Sequence, residues 1–286
     1  MTFAPHYCSR RPVRWAVAGA LAVAVMSAIA PLSQKAYAAT GWQKLTESEL
    51  TVIWWQWLYS IPASTDPAIN KSPVIDDTGA NAYNGQPYSD LLFLAGTYVY
   101  TGAPPPSGNV LGTATRSISM KPGTALFFPL INGEADNTCA RPNLGGNCFG
   151  AQKFPNNLGV PQLQAEAAAA IDPVFGLYAT LTPADQNFNQ TGNPVNVGYT
   201  RLQSPHPFPY KLPATDNLLQ FQGLNVSGTV APAVADGYYS FLPLGTLDQG
   251  NYLLQFGGTV PISCPSTISG PCYFIENITY YITVTP

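Results

Sequence analysis

The stretch Tyr273 to Thr285 reads YFIENITYYITVT. Ile278, Tyr280, Ile282 and Val284 fall on one side of an extended chain, and Asn277, Thr279, Tyr281 and Thr283 fall on the other. Side chains alternate with a period of two along a strand, so one face of this segment belongs in a core and the other in water, as antiparallel sheets commonly present them. Upstream, Asn251 to Phe256 and Gly237 to Leu242 read as two further strands, separated by turn residues. Gly112 to Met120 alternates as well, with Ala114, Arg116, Ile118 and Met120 on one side, and Lys121-Pro122-Gly123 then turns the chain into Thr124 to Asn132. That pair is expected to form a hairpin, with Gly133 ending its second strand. Leu91 to Tyr100 has the apolar run of a buried strand, Val174 to Leu181 is a candidate strand, and Gly198 to Gln203 is a weaker one. Short strands joined by Gly/Pro turns make the fold mainly β, and the expected architecture is an antiparallel β-sandwich.

Two helices accompany these strands. Thr46 and Glu49 form a capping box in sequence, and Leu50, Ile53, Trp54, Trp57 and Leu58 follow at helical spacing until Pro62. This is the pattern of an N-terminal amphipathic helix, with Trp54 and Trp57 turned to the core and Trp55 and Tyr59 on its flank. Pro161 to Asp172, with proline in the first turn and an Ala-rich middle, reads as one further short helix.

The N-terminus has the layout of an export signal. Arg10, Arg11 and Arg14 precede the apolar run Trp15 to Ala30, and Ala36-Tyr37-Ala38 supplies a small-x-small cleavage site. Residues 1–38 are therefore expected to be a cleaved signal peptide, directing the chain to the periplasm or beyond. The run is shorter than the about 20 residues a membrane span needs, so no span is expected after cleavage. Residues 39–286 then form a single β-rich domain, with 39–181 and 182–286 as its candidate subdomains.

Cleavage changes the chemistry of what remains. Removing Arg10, Arg11, Arg14 and Lys35 leaves eight basic residues against fifteen acidic ones, a formal charge of −7. That balance argues against nucleic acid and anionic membrane surfaces as partners. Charged residues are only 9% of the whole chain, so the surface must be carried by Asn, Gln, Ser, Thr and Tyr. Such a surface suits a neutral polar partner. Cys8 leaves with the signal, and Cys139, Cys148, Cys264 and Cys272 remain as an even set, which in an oxidising compartment reads as disulfides. Three pairings are open; Cys139–Cys148 with Cys264–Cys272 closes two short Gly/Pro-rich loops. No C-x-x-C pair suggests zinc.

The chain resembles a group of uncharacterised secreted bacterial proteins. The residues that carry the resemblance are Trp54-Trp55-Gln56-Trp57, Phe93-Leu94-Ala95-Gly96, Leu126-Phe127-Phe128-Pro129, Asp236-Gly237-Tyr238, Phe256-Gly257-Gly258 and Ile278-Thr279-Tyr280. The resemblance implies a Trp-rich first helix and a C-terminal β-sandwich-like region. It implies no activity.

His206 is the one histidine left after cleavage, and no G-x-S-x-G elbow accompanies it, so a serine triad has little to stand on. Carboxylates remain. Glu134 and Asp136 follow an apolar strand, and they are the candidate catalytic pair of a glycosidase-like hydrolase, with Asp76, Asp77, Asp216 or Asp236 as further partners. The same two residues with Asn137 could instead offer oxygen ligands to calcium; no other cofactor is expected. Arg116, on an apolar face, needs a buried partner such as Glu134 or an anionic ligand group. Trp55, Tyr59, Tyr238 and Tyr281 are the candidate aromatics for stacking on a ligand. The leading expectation is thus an extracytoplasmic protein binding a neutral polymer or glycan through exposed aromatics. An extracellular carboxylate-dependent hydrolase and a structural envelope protein are the alternatives. Nothing in the sequence specifies an oligomeric state.

Overall fold

The computed structural model describes residues 41–97, 109–138, 158–262 and 270–286. The segment expected to be an export signal, and Cys139, Cys148 and Cys264, lie outside these residues; Cys272 lies within them and is buried. The fold is mainly β. Its strands form two mixed sheets, and three α-helices accompany them.

In sheet A, β1 (Leu91–Phe93) pairs with β3 (Ala125–Asp136), which pairs with the long β8 (Gly228–Leu242). Two short strands, β6 (Tyr199–Gln203) and β7 (Phe208–Leu212), lie along the other side of β8. Sheet B runs β2 (Asn109–Met120), β10 (Cys272–Val284), β9 (Gly250–Ile262), β4 (Phe175–Ala184) and β5 (Val195–Asn196). Each sheet draws strands from both halves of the chain.

The alternating segment that opened the sequence reading is β10, and Cys272, Phe274, Glu276, Ile278, Tyr280, Ile282 and Val284 face inward as its period dictates. Two expectations are corrected. Neither sheet is purely antiparallel, because β1 runs parallel to β3 and β2 runs parallel to β10 over its whole length. Nor do β2 and β3 form a hairpin. The Lys121–Thr124 turn, with Gly123 at a φ of 83°, carries the chain from sheet B into sheet A. Burial explains the separation. Ala125 to Ile131 are buried on both faces, as a central strand must be, whereas β2 exposes every second residue from Leu111 to Ser119.

The inner faces of the two sheets share one apolar layer. Leu126, Phe128 and Leu130 of sheet A meet Phe256, Ile278 and Ile282 of sheet B, and the Phe128 and Phe256 rings lie 4.6 Å apart. A second apolar cluster covers the opposite face of sheet A, where Phe127, Ala235 and Tyr239 pack against α1 (Glu47–Ser60). Helix α2 (Val160–Ile171) sets Leu163 and Ala167 on Val234 of β8, and α3 (Leu218–Phe221) is a single turn capped by Asn217.

Helix α1 starts as its capping box requires: the Thr46 hydroxyl accepts the Glu49 amide at 3.2 Å, and the Glu49 carboxylate accepts the Thr46 amide at 2.7 Å. It is not amphipathic, however. Thr51, Val52, Trp55 and Tyr59 are buried along with Leu50, Trp54, Trp57 and Leu58. The helix is embedded between sheet A and the segment that follows it. The Trp54 indole donates to the Leu94 carbonyl, Trp57 to Asn84, and Gln56 to Pro209. A helix with partners all round needs no polar stripe.

Phe128 joins the two sheets, so its truncation tests whether they share a core. Phe128→Ala should cost about 3–5 kcal/mol of unfolding free energy in urea titration. A loss below about 1 kcal/mol would mean that the sheets do not depend on this layer.

Candidate binding surface

Across all five strands, sheet B contains two charged residues, Arg116 and Glu276. Both are buried, and both lie on the inward side of their strands. The outer face is therefore without charge. Register places its side chains in rows across the strands. One row is Leu111, Ile275, Thr259 and Phe175; the next is Thr113, Asn277, Gly257 and Tyr178; the third is Thr115, Thr279, Gln255, Thr180 and Asn196. Neighbouring strands are about 4.8 Å apart, so hydroxyls and amides recur at close intervals beside an apolar stripe. Beyond the third row the face is covered, because Phe188 lies on Tyr281 with ring centroids 4.7 Å apart.

Tyr178 occupies the middle of the open part. Its side chain starts on β4, and its hydroxyl donates to Asn277 Oδ1 on β10 at 2.7 Å, two strands away. To reach that far, the ring must lie across β9. Gly257 makes this possible: a Cβ there would stand 3.2 Å from the Tyr178 ring and would also collide with the Glu276 carbonyl. One ring face thus rests on the sheet and the other is left to solvent, with the orientation fixed at both ends. Phe175 flanks it, half exposed, with its ring edge-on to Tyr273 at 5.7 Å. An immobilised ring bounded by hydroxyls and amides is suited to stack on a flat neutral ligand without losing side-chain freedom.

The two inward charges hold up the edge of this face. Arg116 donates through Nε to the Asp76 carbonyl at 2.6 Å, through Nη1 to the Ala95 carbonyl at 2.6 Å and the Tyr280 hydroxyl at 3.1 Å, and through Nη2 to Gly96 at 3.0 Å. Glu276 accepts the Thr97 amide at 2.7 Å. Burial pushes the Glu276 carboxyl up to about 8, against the opposing influence of that amide and of Arg116. Asp76 in turn binds its own loop, accepting from Thr78 and Asn81, and Ser117 of β2 donates to the Thr78 carbonyl.

The expected site residues fall in different places. Trp55 and Tyr59 are 8% and 5% exposed, so neither is a surface aromatic. Tyr238 and Tyr281 are half-buried and lie on different sheets, Tyr238 against Tyr199 and Tyr281 under Phe188. The four do not form one strip. Arg116 spends its donors on main-chain carbonyls and a tyrosine and does not reach Glu134. His206 is exposed on its loop.

Glu134 and Asp136 do come together, within a strand and not in the loop expected after Gly133. Two residues apart on β3, they face α1 and β7. Tyr59 donates to Glu134 Oε2 at 3.0 Å, and Tyr210 donates to Asp136, whose other oxygen accepts from the Thr138 amide and hydroxyl. Glu134 Oε1 is sealed from solvent without a hydrogen-bond partner. Burial and the neighbouring Asp136 push the Glu134 carboxyl well above the usual carboxylate range. Asp236 lies on the opposite side of sheet A, held by Arg201 and Gln203. Of the residues that could offer oxygen to calcium, Asp136 accepts from Thr138 and Tyr210, and Asn137 pairs with the Leu158 main chain. Among the described residues no group of three or more His, Cys, Asp or Glu side chains could hold a metal ion, and no helix is long and apolar enough to cross a membrane.

Tyr178 was not among the aromatics singled out in the sequence. The signal that could have found it is Gly257-Gly258 inside a strand pattern, since a strand glycine marks the close approach of something else. No family model matches the chain, and no curated protein or solved structure does.

The buried Glu276 makes stability depend on pH in a definite direction. Its carboxyl ionises near 4.5 when free of the fold but at about 8 within it, so the folded state holds the extra proton between those values. Its contribution is complete below about pH 4.5 and is lost as the pH rises to about 8. Glu134 acts in the same sense. The urea midpoint should fall across this window, and Glu276→Gln, which keeps the acceptor for Thr97, should flatten the fall. An unchanged slope in that variant would show that Glu276 is not the group responsible.

Proposed function

We propose that this chain is an exported binding protein that takes a neutral glycan, or a polymer of similar polarity, on the outer face of sheet B. The observation that carries the reading is the disposition of charge: five strands hold two charged side chains, both turned inward, beneath a face of hydroxyls, amides and the pinned ring of Tyr178. A charged group facing a neutral ligand would have to be desolvated without a counter-charge. A surface without charge avoids that cost, and a locked aromatic ring supplies stacking at little entropic expense. The platform is thus Tyr178 with Phe175, in place of Trp55 and Tyr59.

The test is a panel of insoluble and soluble neutral polysaccharides presented to the mature protein. Binding to at least one is expected, weakened roughly tenfold or more by Tyr178→Ala, the value of one good stacking contact. Retained affinity in Tyr178→Ala would remove this face from consideration, and failure to bind any member would sink the proposal.

A second reading, a carboxylate-dependent hydrolase, draws support from Glu134 and Asp136 meeting beside the Tyr59 and Tyr210 hydroxyls. Turnover of a panel member, abolished by Glu134→Gln, would favour it. Binding without turnover in either protein would exclude it.

Export is part of the proposal. Expressed with its own N-terminus in a bacterium, the chain should appear outside the cytoplasm with Ala39 as its first residue. The four remaining cysteines should resist alkylation until reduced. A full-length intracellular product, or free thiols in the exported one, would contradict the respective claim.

A further inference from the structure

The outer face of sheet B does not end at β2. Leu111, Gly112 and Thr113 of that edge strand form one wall of a depression of about 200 Å³, whose other side includes Ile75, Asp77 and Phe221. Those same three residues also line a larger groove of about 520 Å³. Its remaining wall is predominantly small and polar, with Ser64, Thr65, Asn70, Lys71, Thr78 and Asn81. The two hollows share these three residues as a common wall, and the row that holds Tyr178 leads towards them. Tyr178, Gly257, Asn277 and Thr113 lie side by side across β4, β9, β10 and β2. Thr113 belongs both to the face and to the depression.

From Tyr178 to Thr113 the row spans three strand spacings, about 14 Å. A ligand that only stacked on Tyr178 would leave the groove unused. One that followed the row would cross the edge at Thr113 and continue between Asp77 and Phe221. The groove wall is firm enough to serve, because Asp76 ties the loop to itself through Thr78 and Asn81, while Arg116 and Ser117 bond its Asp76 and Thr78 carbonyls from β2. Asp77 and Lys71 are exposed there, with opposite charges, while the third charged lining residue, Asp76, is buried and spends its carboxylate on Thr78 and Asn81.

We propose that the groove is a second subsite for the same ligand, and that the ligand is a linear neutral polysaccharide bound lengthwise from Tyr178 over Thr113 into the groove. This rests on the binding reading given above. Two linked subsites convert the second contact into an intramolecular event, so affinity should rise steeply once a chain is long enough to reach both.

The experiment is calorimetric titration of cello- and chito-oligosaccharides, from dimer to octamer, into the mature protein, into Asp77→Trp, which fills the groove, and into Thr113→Arg, which obstructs the edge. Both substituted residues are exposed. In the wild type, affinity should increase on the order of 100-fold between short and long oligomers. In both variants the gain with length should vanish, and in Asp77→Trp, which leaves the face untouched, the short oligomers should bind as in the wild type. Affinity that does not depend on length in the wild type, or a gain that survives in both variants, overturns the second subsite while leaving the Tyr178 platform standing. If no oligomer of either series binds and no polysaccharide of the panel is retained, the platform falls and the subsite with it.

Discussion

A guanidinium cannot be buried unless its N–H groups find acceptors, and Arg116 finds them in three main-chain carbonyls and one hydroxyl. Those acceptors come from separate parts of the chain. Asp76 belongs to the loop before β1, Ala95 and Gly96 follow β1, and Tyr280 stands on β10. One side chain on β2 therefore ties sheet B to the segment leaving sheet A and to the wall of the groove. No carboxylate lies within ion-pair distance of it among the described residues. Glu276 acts on it from further away, and the Tyr280 ring lies 5.5 Å beneath its central carbon. Carbonyl dipoles and an aromatic face hold this cation, and the Glu276 carboxyl, pushed up to about 8 by burial, adds an opposing charge only once it ionises.

The same arrangement accounts for where charge is missing. Apart from the exposed Lys211 on β7, sheet A carries its acids and bases in two groups, Glu134 and Asp136 on the α1 side and the Arg201–Asp236 pair on the α2 side, where Asp172 also meets Arg201. Sheet B turns its two inward. A protein with so few charged residues has little freedom in distributing them, and here the wet face of one whole sheet receives none.

What was legible in the sequence was local. The alternation of β10, the capping box of α1, the proline-led start of α2 and the inward side of β2 follow from spacing along the chain, and they stand where spacing put them. What was not legible depended on partners far away. The pairing of β2 with β10 joins residues more than 150 positions apart, as with Asn109 and Tyr273, and nothing near either strand announces it. Trp55 and Tyr59 were expected on a wet flank because a helix usually has one; β7 covers that flank, and no strand is expected there from the sequence. Glu134 and Asp136 lie on one face of a strand and not in a loop, because β8 continues to pair with β3 past Gly133 as far as Asp136. Tyr178 acquires its role only when Gly257 and Asn277 are brought beneath it from two other strands.

An uncharged face rich in Thr, Asn and Tyr, ending in a long edge strand, is a hazard for any protein that meets other chains. Edge strands invite pairing with other chains, and natural sheets protect them with charge, bulges or a covering segment. The outer side chains of β2 are Leu111, Thr113, Thr115, Ser117 and Ser119, and none carries a charge. Protection comes from the loop: Ser117 donates to Thr78, and a Cβ on Gly79 would collide with the Ser117 backbone, so the loop lies directly against the strand. The clamp that holds that loop is Arg116. Burying one arginine thus covers part of the edge, builds the groove beside it, and leaves the face between them free of charge. No lysine stands on any strand of sheet B, so the edge is guarded by the loop and not by charge on the strand.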